Sequence, residues 1–253
     1  MRHHLRHKQN DNAVVAAVDP RIRLLAAGLL LGLVVGSHGS SFPVQVAAIC
    51  LPVALMVGMS LRLLLLRLLH PLFIALVILG LKAFAGSGAP CALVDLAGYT
   101  IMVHADGLRE GVLIVARIMG AVSVAMLLSQ VLTFTETMAA LAWLRVPSGL
   151  VEVSLFAWRA LFMLYDDAGV VYTAQKNRLG YCGLTRGLRS FGAMAGMLTI
   201  RAFDSSQAMT VAMTQRGYDG SLPLLRGSRP SRAQVAGLLV FALAVTAAWK
   251  LQE

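Results

Sequence analysis

Residues 111–132 read GVLIVARIMGAVSVAMLLSQVL, with Arg117 as the single charge. A helix needs about 20 mostly apolar residues to cross the hydrocarbon core of a bilayer. This stretch therefore predicts a membrane-spanning helix, and the neighbouring sequence repeats the pattern. Residues 24–36 (LLAAGLLLGLVVG), 42–59 (FPVQVAAICLPVALMVGM), 71–86 (PLFIALVILGLKAFAG) and 233–249 (AQVAGLLVFALAVTAAW) are further apolar runs. Lys82 lies near the end of its run, where it can snorkel.

Composition agrees. Of 253 residues, 58% are hydrophobic and 13% charged, and mean hydropathy is +0.74. A soluble domain carries about 25% charged residues, so this chain lacks the polar surface that water requires. The net charge is +10, but no basic run interleaves with the aromatics. The excess is read as cytoplasmic loop charge, not as a nucleic-acid surface. Cys50, Cys91 and Cys182 form no Cys-x-x-Cys pair, which leaves no disulfide framework or zinc knuckle. The basic start, MRHHLRHKQNDNAVVAAVDPR, lacks the apolar segment of a cleaved signal peptide, so the first span is expected to serve as its own insertion signal.

The loops predict orientation. Arg2, Arg6, Lys8, Arg21 and Arg23 precede the first span, and Arg62 and Arg67 fall between the second and third. Residues 37–41 and 87–106, the loops after the first and third spans, contain no Lys or Arg. The positive-inside bias then places the N-terminus and residues 60–70 in the cytoplasm.

From Thr133 to Gln234 the chain changes character, holding eleven of the basic residues beside much Leu, Met and Phe. Three helices are expected there: about 134–144, opened by Thr135 and Glu136 and ended before Pro147, then about 149–178 and 190–216. They suit the inner membrane surface, although 149–165 is also apolar enough to dip into the bilayer. The expected fold is an all-α integral membrane protein of five or six spans. Its organisation is residues 1–132 (tail and four spans), 133–232 (interfacial helices) and 233–253 (closing span).

Two places in that region stand out: Lys176-Asn177-Arg178-Leu179-Gly180-Tyr181 and Gln215-Arg216-Gly217-Tyr218-Asp219-Gly220. Each sets an arginine at a helix end with glycine one or two residues on. A cation there favours the helix dipole and glycine supplies a left-handed cap, so either alone is an ordinary helix stop. Repeated 38 positions apart, they suggest two arms, each with five fixed donors for a partner's carboxylate. The Met- and Ala-rich face through Met194, Met197, Met209 and Met213 suits adaptable packing. His3, His4 and His7 read as a solvated basic tail, since few carboxylates and no cysteine accompany them. Arg117, an intramembrane charge, is expected to pair with Glu110. No G-x-x-x-x-G-K-[ST] phosphate loop, H-E-x-x-H or G-x-S-x-G is present.

Four spans, long helices with two arginine triplets and a closing span resemble the T component of energy-coupling factor transporters, most closely the cobalt-type CbiQ family. Asp19-Pro20-Arg21 is similar to that family's Asp-Pro-Arg segment. Gln215-Arg216-Gly217 is similar to its second triplet. Asn177-Arg178-Leu179 is similar to its first, with Leu where a small residue is frequent. The resemblance implies a non-catalytic coupling subunit of the cell (inner) membrane. Arg178 and Arg216 would dock into two cytoplasmic ABC-type ATPase subunits. A separate substrate-capture membrane subunit, with a small accessory membrane subunit, would hold the metal. This chain would bind no cofactor, ATP sitting on the partners. The substrate implied is cobalt, with nickel or a vitamin open. A stand-alone secondary transporter would instead show inverted repeats and midplane charges, and a membrane enzyme a cluster of reactive groups; Asp166-Asp167 is the only adjacent acidic pair.

Overall fold

The computed structural model describes residues 18–84, 90–96, 99–219 and 231–252. His3, His4 and His7, and the Gly/Pro-punctuated loop through Pro223, Gly227 and Pro230, lie outside them, as does the side chain of Cys91. The described residues are helical with one hairpin. In order come α1 (Pro20–Gly36), α2 (Ser41–Met56), α3 (Leu61–Phe84), β1 (Pro90–Leu96), β2 (Tyr99–His104), α4 (Ala105–Val131), α5 (Phe134–Trp143), α6 (Ser148–Asn177), α7 (Leu184–Gln215) and α8 (Arg232–Lys250). By length and composition α3, α4, α6 and α8 can each cross a bilayer, and α2 is a shorter apolar helix. The all-α membrane fold stands, and α6 is among the helices able to span.

Local chemistry sets the ends. Asp19 caps α1, its carboxylate accepting from the Arg21 backbone N–H at 3.0 Å, and Pro20 takes the first helical position. This is the ordinary use of Asp and Pro at a helix start, and it gives the Asp-Pro-Arg segment a physical reason. Thr133 and Glu136 form a capping box at α5. Thr133 Oγ1 accepts from the Glu136 N–H at 3.3 Å, and Glu136 Oε2 accepts from the Thr133 N–H at 2.9 Å. The cap is thus Thr133, two residues ahead of the expected Thr135.

Two compact units emerge: Met1–Thr137 with Ser228–Glu253, and Met138–Gly227. In the first, α4 packs on α1, α2 and α3, while α8 packs on α1. Its core joins Ala27, Val34, Phe42, Val46, Cys50 and Val124, with Val245 and Trp249 of α8 against it. The buried positions of α4 are mostly small: Gly107, Gly111, Ala116, Gly120 and Ser123. A methyl group on Gly120 would lie 3.0 Å from the Pro43 carbonyl and 3.1 Å from Val34. Small residues are what let helices approach this closely in a membrane. In the second unit, α6 and α7 are antiparallel neighbours, and α7 has no buried residue at all.

Several expectations are corrected. Residues 87–106 were expected as a plain loop, but Pro90–Leu96 and Tyr99–His104 pair as an antiparallel hairpin. Arg21 and Arg23 fall inside α1, and Arg62 and Arg67 inside α3, because both helices begin before their apolar runs do. Arg117 does not pair with Glu110. Glu110 sits seven residues, about two helical turns, before Arg117 and bonds Lys82 of α3 at 2.9 Å. Arg117 instead donates through Nε (3.0 Å) and Nη2 to the carbonyl of Ser37, just past α1. The orphan carbonyls at a helix C-terminus attract a cation, and the guanidinium reaches one.

The two arginine-bearing helix ends

Both arginines sit at C-caps, and the two turns share one geometry. Arg178 has φ −92°, ψ 16° and Arg216 has φ −91°, ψ 9°. The next residue is left-handed in both, Leu179 at φ 58° and Gly217 at φ 78°. The N–H of Gly180 then bonds the carbonyl of Gln175 at 2.9 Å, and that of Tyr218 bonds Met213 at 3.0 Å. The N–H groups of Leu179 and Gly217 bond Lys176 and Thr214, each at 3.1 Å. These paired bonds define a Schellman motif. The expected left-handed glycine is therefore right for Gly217. At the first end the left-handed residue is Leu179, and Gly180 serves another purpose: a side chain there would meet Ser190 Oγ at 2.7 Å and the Gln175 carbonyl at 2.9 Å.

Asn177, Arg178, Leu179, Gln215, Arg216 and Gly217 are all exposed. The two triplets are not brought together. They flank α7, whose 32 residues span about 48 Å at 1.5 Å per residue. Each turn is instead tied to the start of the opposite helix. Ser190 Oγ of α7 donates to the Gly180 carbonyl at 2.9 Å, and the Tyr181 hydroxyl donates to Gln175 Oε1 at 2.7 Å. At the other end the Tyr218 hydroxyl donates to Glu152 Oε2 of α6 at 3.1 Å. That bond, with burial and the negative charges of Glu152 and Asp219 also contributing, raises the Tyr218 pKa above its ordinary value. Between the ends, Arg201 and Asp167 form an ion pair at 3.0 Å.

Sequence reading missed all of these ties. Tyr181 and Tyr218, each three or two residues past an arginine, were the signal: an aromatic hydroxyl beside a helix stop needs a partner when partly covered. Among the described residues, no three His, Cys, Asp or Glu side chains gather to hold a metal ion.

Long apolar helices packed through small residues, with exposed arginines capping two further helices, define a multi-pass membrane protein. A family model described as "Cobalt transport protein", CbiQ, matches residues 11–225, and the chain belongs to that family. The cobalt transport protein CbiQ of Salmonella typhimurium is 32% identical over 134 residues, covering 51% of this chain and 60% of that protein. An uncharacterized protein of Methanocaldococcus jannaschii is 30% identical over 149 residues, covering 58% and 56%. The match thus spans little more than half the length of these two relatives. The energy-coupling factor transporter transmembrane protein EcfT of Staphylococcus aureus is 26% identical over 222 residues, covering 83% and 82%.

Proposed function

We propose that this chain is the transmembrane coupling subunit of an energy-coupling-factor-type importer whose substrate is cobalt. It links ATP hydrolysis by two ABC-type ATPase subunits to a separate substrate-capture membrane subunit and a small accessory one. The observation that carries the reading is the duplication of one arginine turn at opposite ends of α7. Two equal and outward-facing fingers suit two copies of one partner better than a single ligand, since about 48 Å exceeds the reach of any small molecule. A guanidinium presents a rigid fork to a carboxylate or to backbone carbonyls lining a groove. The Schellman turn fixes the backbone from which each fork projects.

ATP belongs to the partner subunits in this reading. The basic residues near α1 and α3 and those of the α6–α7 region then face the cytoplasm, with the N-terminus, in a cell (inner) membrane. Cobalt as cargo follows the family's description and the name of the Salmonella relative.

The test is affinity purification of the tagged chain from its native membranes, wild type against Arg178→Glu/Arg216→Glu. Each reversal replaces a charge-assisted bond worth about 1.5–3 kcal/mol by repulsion. ATPase subunits should co-purify with wild type and be lost from the double variant, while its membrane yield is unchanged. Equal recovery from both would overturn the docking role.

A further inference from the structure

The end of α4 and the start of α5 are held by an arginine that comes from α1. Arg23 Nη1 donates to the carbonyl of Val131, the last residue of α4. Its Nη2 lies 3.4 Å from Glu136 Oε1 in the first turn of α5. The Arg23 side chain is 10% exposed, so its charge is largely out of water and is met by this carboxylate. The other oxygen of Glu136 is occupied: Oε2 accepts from the Thr133 N–H at 2.9 Å and from the Thr133 hydroxyl at 3.0 Å. One carboxylate therefore closes the capping box of α5 with one oxygen and holds α1 with the other.

The place of this clamp gives it meaning. Only Leu132 and Thr133 separate α4 from α5, so the angle between the two helices is set at a two-residue link. The chain leaves the first compact unit just beyond, after Thr137. Both arginine turns lie downstream, so any displacement that reaches α5 along the chain arrives at this joint. From these facts we infer that Arg23 and Glu136 are positioning residues for coupling. They stiffen the α4–α5 joint, so that movement of α5 is delivered to α1 and α4 instead of being absorbed at Leu132–Thr133. The inference rests on the coupling role proposed above.

A helix cap and a coupling clamp make different demands on Glu136. Glutamine keeps the cap, since a glutamine side chain also closes a capping box, but it removes the charge facing Arg23. The experiment reconstitutes the full complex in liposomes and measures Co²⁺ imported per ATP hydrolysed. The chains compared are wild type, Glu136→Gln, Arg23→Gln and Arg23→Gln/Glu136→Gln. Glu136→Gln is expected to retain its yield, its ATPase subunits and ATP hydrolysis, while import per ATP falls about tenfold. Residues that act as one unit are non-additive, so the double variant should fall no further than either single one. Unchanged import per ATP in Glu136→Gln, or its loss from the membrane as a misfolded chain, would overturn the inference. Failure of the docking reading shows separately, as ATPase recovery that is indifferent to Arg178→Glu/Arg216→Glu.

Discussion

Leu179 and Gly217 occupy the same place in two copies of one turn, yet only one of them suits it. A left-handed backbone costs an L-residue roughly 1–2 kcal/mol, and glycine almost nothing. Leu179 is also 64% exposed, so packing does not offset that strain. Leu179→Gly should therefore stabilise the chain by about 1 kcal/mol, and Gly217→Ala should destabilise it by a similar amount. Thermal unfolding in detergent reads both, and equal shifts of one sign would refute the equivalence of the two turns. Tyr218 gives a pH signature. Its folded pKa lies above the unfolded value because its hydroxyl donates to Glu152. A raised pKa means the contribution is complete below about pH 10, the ordinary tyrosine value, and is lost as pH rises through the folded one. Wild type should thus lose stability more steeply than Tyr218→Phe in alkaline melts, and the two should differ by a constant amount at neutral pH.

At the scale of elements, α4 organises the first unit through smallness. Gly111 lies against Leu79 of α3, and Gly120 against Pro43 of α2 and Val34 of α1. The helices meet where α4 has no side chain to hold them apart. Gly120→Leu would force a branched side chain into that contact and should destabilise the unit by about 1–3 kcal/mol. Gly28→Leu on α1, where nothing lies within 4 Å, should be close to neutral. Melting temperatures of the two variants test the contrast. The second unit is built on another principle. Neither side-chain burial nor a dense core holds α7; terminal and central polar bonds to α6 do. Elements with few buried contacts belong to the low-stability end of a structure, which fits the coupling role proposed above.

The chain holds two units, a packed bundle and a pair of long, largely exposed helices, each ended by an arginine. The docking proposed for the two arginine forks should weaken with salt, because screening shortens from about 10 Å at 0.1 M to about 3 Å at 1 M. Raising ionic strength should release ATPase subunits from the wild-type chain while the bundle stays folded, as size-exclusion profiles across a salt series would record. Retention at 1 M salt would mean that apolar contacts, not the arginines, carry the association.

The membrane class, the order of the helices and the left-handed glycine after Arg216 were legible in the chain itself, whereas the first arginine turn places Leu179 in the left-handed position. The legible features depend on local facts: runs of about 20 apolar residues and a glycine directly after Arg216. Short-range chemistry is written in neighbouring letters, so it survives without a fold. Partners across elements were not legible. Arg117 was expected on Glu110 because the two share a helix, but Glu110 turns to Lys82 and Arg117 to the Ser37 carbonyl. Arg23 reads as an orienting charge until α4 and α5 are placed beside it. The tie from Tyr218 to Glu152 spans 66 positions. A charged or hydroxyl side chain bonds whichever group packing brings within about 3 Å. Only the tertiary structure decides which group that is, because in a helical bundle the nearest neighbour in space is seldom the nearest in sequence.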